Sequence, residues 1–395
     1  MKCVERLLLA FLILMPCGCE YVDHSGEEKA LERSRIPADS VAMLLSVLPL
    51  EAEHYREVYD AVSSSSGNGY DEEYMMRDLF TSPGAGVGDD ADTRGAKTKS
   101  YSRPIKDLIK EYCIGVRGVR SSYGDLPSFA RDLPDLLEKS DMQIYWPYSE
   151  NWDGVTRPIV TFDPGTEADS SEGYILEEDS EGRQSIRKVR VDEEDARKHP
   201  IWVINRNDDS QFVSLELRRR QNPDWKPGGG IVTVRSSEQV NTLVLKNFKM
   251  RRNYDSWLAG ASEFFVKCGK VEDFKATTEA ELKLYNPSIT DFMIVVKRDQ
   301  VGKTIPFNAV LVSQWTDQIE NVAFMIVEDD GGTRTEWKAS AVVKYNSKSY
   351  GFEISLPFNV RDDIVWRGQL SGKYLWAYDN KPSRFGDVEL TFQFQ

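Results

Sequence analysis

Ten consecutive residues, Tyr145-Trp146-Pro147-Tyr148-Ser149-Glu150-Asn151-Trp152-Asp153-Gly154, set four aromatic rings among two carboxylates and an amide. Aromatic faces stack on the C–H surface of sugars, and carboxylates and amides take up hydroxyls. Trp146, Tyr148, Glu150, Asn151, Trp152 and Asp153 are therefore the candidate ligand-binding residues, with a glycan as the ligand. A plainer reading competes: large rings usually bury, so the rings would be core and the polar residues a turn. Ser149-x-Asn151-x-Asp153-Gly154 also opens like a calcium loop, but the twelfth position is Val160, where an EF-hand needs a bidentate glutamate.

A second cluster is acidic: Glu328-Asp329-Asp330-Gly331-Gly332 and Arg361-Asp362-Asp363. Loops at one end of a sandwich could gather Asp329, Asp330, Asp362 and Asp363 around a metal such as calcium. The simpler expectation is a hairpin turn in which Asp330-Gly331 supplies a positive φ, beside an unrelated loop. No cofactor is expected.

Other chemistries lack their parts. The chain has three histidines, His24, His54 and His199. No HExxH motif exists, and a three-histidine metal site would have to recruit His24 from the amino-terminal tether. A Ser-His-Asp relay would rest on His199, which stands between Lys198 and Pro200 in a charged turn. Gly260-Ala261-Ser262-Glu263-Phe264 begins like a nucleophile elbow and fails at Phe264, where the sharp turn needs glycine. The glycine run at Gly84, Gly86 and Gly88 follows no predicted strand, and Asp89, Asp90 and Asp92 behind it repel phosphate. With 64 acidic residues, a carboxylate pair for glycoside hydrolysis stays open, but none is singled out.

The elements that must position these residues belong to a 395-residue chain, 40% hydrophobic and 11% aromatic, which has enough apolar material for a core. Its formal net charge of −14 repels phosphate backbones and argues against nucleic acid. Arg218-Arg219-Arg220 and Arg251-Arg252 read as solvated strand or loop faces.

The amino terminus has three parts: a basic stretch to Arg6, an unbroken apolar run from Leu7 to Met15, and Pro16-Cys17-Gly18-Cys19. The run is shorter than the roughly 20 residues of a membrane span and has the length of a signal-peptide core. Residues 1–18 are expected to be a signal peptide and Cys19 the lipid acceptor, so that the membrane is a partner through an N-terminal lipid. Gly18 fits a lipobox; Pro16 and Cys17 depart from the usual Leu and small residue, which leaves ordinary signal cleavage near Cys19 open. Cys113 and Cys268 then remain as two buried thiols, with one disulfide permitted but not implied.

Along the chain, residues 19–102 read as tether, helical segment and linker. The helical pattern covers 38–62 and is broken by Pro49. Ser63 to Gly69 reads as a loop, and Tyr70 to Phe80 as a short helix. Residues 103–230 read as an α+β domain, with helices over 104–119 and 128–139 followed by short strands and one helical turn at 193–198. From Ile231 to Gln395 the pattern is almost wholly strand, including one at 280–285 and one at 388–394 with clean alternation. The fold class is α+β and β-rich, with a helical N-terminal segment, a mixed middle region and a C-terminal antiparallel β-sandwich.

Glu20, Asp23, Glu27 and Glu28 behind Cys19 resemble the acidic export tag of Bacteroidetes-type surface lipoproteins. At Asp141 to Gly154 and His199 to Asp209 the chain resembles uncharacterised Bacteroidetes lipoproteins, and the resemblance extends over most of the mature chain. It implies an exported protein of the bacterial envelope, anchored at the outer membrane, and it implies no activity. The expected function is a non-catalytic envelope lipoprotein that binds a protein or glycan partner. The alternative is a carbohydrate-active hydrolase using an Asp/Glu pair.

Overall fold

Proline cannot continue a helix, and Pro49 separates the first two. The computed structural model describes residues 36–80, 100–117, 126–178, 180–181, 184–207, 212–221 and 241–395. Helix α1 spans Ala38–Val47 and α2 spans Ala52–Gly67. A reciprocal cap starts α2, in which the Glu51 N–H donates to His54 Nδ1 at 2.8 Å. Residues 63–67, expected as a loop, instead complete α2. Ser65 is buried on its inner face, and the Asn68 N–H closes the last turn on the Ser64 and Ser65 carbonyls. Where one helix was expected over 70–80, strand β1 (Glu73–Met75) is followed by α3 (Met76–Phe80).

Helices α4 (Ile105–Arg117) and α5 (Leu126–Glu138) follow, then strands β2 (Met142–Tyr145), β3 (Ile159–Phe162), β4 (Ser170–Glu178) and β5 (Gln184–Asp192). Helix α6 (Glu193–Lys198) leads into strand β6 (Ile201–Arg206). The sheet order is β1-β2-β6-β3-β4-β5, and β3 with β6 is its parallel pair. Side chains alternate across it. Met142, Ile144, Trp202 and Ile204 join the core under the helices, while Tyr145, Ile201 and Val203 pack on the other face with Trp257 and Leu258. Coverage of both faces explains why Ile201 to Ile204 is an unbroken apolar run. Val41, Leu44 and Leu45 of α1, and Val58 and Val62 of α2, fill the same core as residues of α4, α5, β2, β3, β4 and β6, so these elements share one packed body.

The chain divides into two compact units, Met1–Ser210 with Asp255–Gly260, and Gln211–Tyr254 with Ala261–Gln395. The second unit opens on α7 (Leu215–Gln221), so Arg218, Arg219 and Arg220 lie on a helix. Strands β7 (Asn241–Met250) and β8 (Ser262–Lys270) follow. Residues 280–285, expected as strand, are not one: the single-turn helix α8 (Glu279–Leu282) takes the start of that stretch. Thr278 caps it by accepting from the Glu281 N–H, and none of its residues is buried. A short turn with no buried face loses the tertiary pairing that makes a strand.

The remaining strands are β9 (Ser288–Val296), β10 (Ile305–Trp315), β11 (Ile319–Glu328), β12 (Arg334–Tyr345), β13 (Lys348–Asn359) and β14 (Asp363–Ser371). After α9 (Gly372–Ala377) come β15 (Pro382–Phe385) and β16 (Val388–Phe394). One sheet runs β10-β7-β16-β15. The other runs β13-β12-β11-β8-β9, with β14 also on β11, and every pair is antiparallel. Leu245, Phe248, Phe264, Phe324, Leu390 and Phe392 pack in a shared core, as in a β-sandwich. The molecule is α+β and β-rich, with helices concentrated in its first part. At the β15–β16 turn a Cβ on Gly386 (φ +59°) would lie 2.3 Å from the Val365 carbonyl oxygen, so only glycine fits.

Strands β12 and β13 behave differently from their neighbours. They pair along their whole length from Arg334↔Asn359 to Tyr345↔Lys348. β12 meets β11 only at its far end, because β14 takes the β11 edge from Asn321 to Glu328. The hairpin folds back, and Ile354 and Leu356 bury against Ala323, Met325 and Val327 on the face of β11 away from the main core.

Cys113 and Cys268 are both buried and form no disulfide with each other, and burial pushes Cys268 up to about 12. Cys19 and residues 1–18, expected as a signal segment, lie outside the described residues, as do the glycine run at 84–88 and the strand expected at 231–235. Among the described residues no helix is long and apolar enough to cross a membrane.

Candidate functional site

Strand β2 delivers the aromatic segment to the surface through a forced turn. Trp146 ends the strand fully buried, with its N–H donating to the Glu72 carbonyl at 2.9 Å. Its ring meets Trp202, Tyr59 and Trp152 edge-on, at centroid distances of 5.8, 6.1 and 5.3 Å. Such pairs add about 0.5–1.5 kcal/mol each beyond their area. Tyr148 then adopts φ +58°, a left-handed conformation that bulky side chains avoid. Neighbours hold it there. The Tyr148 hydroxyl donates to Glu193 Oε1 at 2.7 Å, and the Ser149 N–H and Oγ both donate to Glu72 Oε1, at 3.2 and 2.6 Å. Unfavourable backbone kept in place by several bonds is a mark of functional loops.

The loop closes on Asp153. Its Oδ1 accepts from the Val155 and Thr156 N–H groups at 2.9 and 2.7 Å, and its Oδ2 from the Thr156 hydroxyl at 2.5 Å. The Thr156 hydroxyl, with the two N–H groups, holds this exposed carboxyl below the usual range. Trp152 is half-buried, and its Nε1 donates to the Thr156 carbonyl at 2.9 Å. The Arg56 guanidinium lies 4.9 Å from the ring centroid, so one face of Trp152 is covered from within the protein.

A cleft of about 190 Å³ opens beside this loop. One wall is the loop itself, through Tyr148, Asn151, Trp152, Asp153 and Thr156, with Trp146 behind it. The other is the end of α6 and its exit, Ala196 to Pro200. Helix α6 carries its acids in the first turn and its bases in the last, which suits the helix dipole. Arg197 and Lys198 pair with Glu193 and Glu194 one turn back, at 3.0 and 2.5 Å, and Arg197 also stacks 4.8 Å over Tyr148. His199 caps the helix end and is exposed on the cleft wall.

Of the six residues nominated from sequence, the structure gathers Trp146, Tyr148, Asn151, Trp152 and Asp153 at one cleft. Glu150 is exposed on the one-turn 3₁₀ segment Ser149–Asn151 and does not line it. Asp153 is the one carboxylate among the lining residues. The far wall escaped sequence reasoning. His199 was read as part of a charged turn, and nothing local to Lys198-His199-Pro200 shows that the turn faces Trp152.

The acidic cluster forms a neck. Asp329 and Asp362 are buried where the chain leaves β11 for β12 and leaves β13 for β14. Asn359 bridges them: its backbone N–H donates to Asp362 Oδ2 at 2.7 Å, and its Nδ2 donates to Asp329 Oδ1 at 3.1 Å. The Gly331 N–H adds a bond to Asp329 Oδ1 at 3.1 Å, and Gly331 and Gly332 hold φ +66° and +103°. Burial pushes Asp362 up to about 6, helped by the Asp329 carboxyl beside it and opposed by the backbone N–H of Asn359. Asp330 is half-buried and gives its N–H to Asp362 Oδ1 at 3.4 Å, while Asp363 is exposed at the start of β14. The structure thus joins two of the four nominated carboxylates, and backbone and amide donors occupy them.

No protein-family model, no curated protein and no solved structure matches the chain.

Proposed function

We propose that this chain is an exported envelope lipoprotein, tethered through Cys19, whose first unit binds a glycan in the cleft between Trp152 and His199. The observation that carries the reading is the cleft's composition. Aromatic edges from Tyr148 and Trp152 lie beside the side chains of Asn151 and His199, for which no internal hydrogen bond is seen among the described residues. The lining is more polar than apolar, ring surface set among donors and acceptors, which suits a ligand rich in hydroxyl groups. Held backbone at Tyr148 supports the same reading, since a preformed loop loses less freedom on binding. Hydrolysis by paired carboxylates needs two acids about 5–10 Å apart across the ligand, and this lining offers Asp153 alone, already tied into its own turn.

Glycan-array screening of the purified mature protein tests the proposal. Binding should weaken about tenfold or more in Asn151→Ala and in His199→Ala, at unchanged melting temperature. Absence of any glycan hit, or hits indifferent to both substitutions, would refute it. Metabolic labelling with a fatty-acid analogue tests the anchor separately: the label should be lost in Cys19→Ser.

A further inference from the structure

We infer that the cleft recognises a single uncharged hexose unit, and that it discriminates against acidic sugars. This rests on the glycan reading above and narrows it to a chemical class.

The wall formed by Arg197, Lys198 and His199 looks basic in sequence and would suggest an anion site. Its charges are already engaged. Arg197 donates to Glu193 Oε1 and Lys198 to Glu194 Oε1, and both pairs stay in place through helical i,i+4 geometry. Of the carboxylates only Asp153 lines the cleft, but Asp192, Glu193, Glu194 and Asp195 precede the two cations on the same short segment, and Arg56 adds one cation over Trp152 on the facing wall. Counted with that segment, five acids stand near the cleft against three cations, so a ligand carboxylate would meet a surplus of negative charge, and Arg197 or Lys198, if recruited, would leave a glutamate behind. Exposed pairs are individually weak, so the cost comes from the surplus of acids and not from any single bond.

What remains free is uncharged hydrogen-bonding capacity. Asn151 offers both a donor and an acceptor, and His199 offers one ring nitrogen of each kind when neutral. Sugar hydroxyls donate and accept and so satisfy such groups in either sense. Asp153, fixed as an anion by its three turn bonds, has lone pairs left for a further hydroxyl and repels a carboxylate. Size sets the other limit. About 190 Å³ between two short walls suits one ring, so the ligand is a terminal or branch unit whose chain continues into solvent.

The test compares sugars that differ only at C6: glucose with glucuronate, and galactose with galacturonate. Each is titrated into the ¹⁵N-labelled full mature chain, following the Trp152 indole N–H and the Asn151 amide. The expected result is saturable shifts with at least one hexose and an affinity at least fivefold weaker for its uronate. Freeing the cations in Glu193→Gln/Glu194→Gln should shrink or reverse that gap. Equal or tighter uronate binding by the unsubstituted protein would overturn the neutral-sugar inference and leave the glycan reading standing. No response to any of the four sugars, with glycan-array binding intact, would overturn the single-hexose assignment. No response in either assay would remove both.

Discussion

The aromatic loop at 146–156 and the acidic neck at 329–332 and 359–363 are both dense in groups that could bind something, and they resolve in opposite ways. In the neck, the acceptors of Asp329 and Asp362 are met by Asn359, Gly331 and each other's neighbourhood. In the loop, the rings are likewise taken up by packing and most of Asp153 by its turn, but Asn151 and His199 are left over, and a cleft adjoins them. Residue type alone does not separate a site from a structural knot. The separation comes from subtracting the hydrogen bonds the fold has already made.

The comparison sharpens most at its buried ends. Trp146→Ala should destabilise the first unit by about 3–5 kcal/mol in chemical denaturation, because it empties the centre of a ring cluster that includes Trp152 and Trp202. A loss below about 1 kcal/mol would mean the cluster is not the loop's foundation. In the neck, Asp329→Ala removes the acceptor of both the Asn359 amide and the Gly331 N–H. It should cost about 1–3 kcal/mol, with hydrogen exchange rising at 329–333 and 359–362.

A smaller effect is titratable. Asp362 is raised from 3.8 to about 6, so it binds its proton more tightly folded than unfolded. Its stabilising contribution is complete below about pH 3.8 and is lost as pH rises through about 6. The effect should be about 1 kcal/mol, the full shift being reduced by solvent at the neck. Asp362→Asn keeps the acceptor for the Asn359 N–H and should remove that pH dependence between pH 4 and 7, becoming the more stable form at pH 7.5. An identical pH slope in both proteins would exclude the carboxyl pair as its source. The smallest expected effect is none: millimolar calcium or EDTA should leave the melting temperature unchanged, since the neck carboxylates are occupied by protein donors. A calcium-dependent rise would turn the neck into a metal site by mass action.

Sequence conveyed the elements whose patterns are local. Pro49 marked the break between α1 and α2, and the alternation of Val388, Leu390 and Phe392 marked β16. It failed where long-range partners decide. Ser63 to Gly67 looked like a loop because four serines carry no helical preference, yet Ser65 is buried against the core. The strand character of β14, Asp363 to Ser371, comes from pairing with β11. The site shows the same division. One wall was legible as a run of rings among polar groups, while the other, forty residues on in sequence, comes to it through the pairing of β3 with β6. Glu150 was included on type, and the 3₁₀ turn places it away from the cleft.

The folded-back β12–β13 hairpin bears on self-association. β13 ends its sheet, and an edge of twelve residues is a template on which a second chain can add a strand. Lys348 and Glu353 place charge along that edge, and Pro357 removes one of its amide hydrogens, all of which oppose such templating. The apolar residues of the same strand, Ile354 and Leu356, are turned under against β11 and so kept from other chains. Any chain held at high local concentration meets its own copies. A hairpin that hides its greasy side and charges its rim lets many copies stand side by side without sticking.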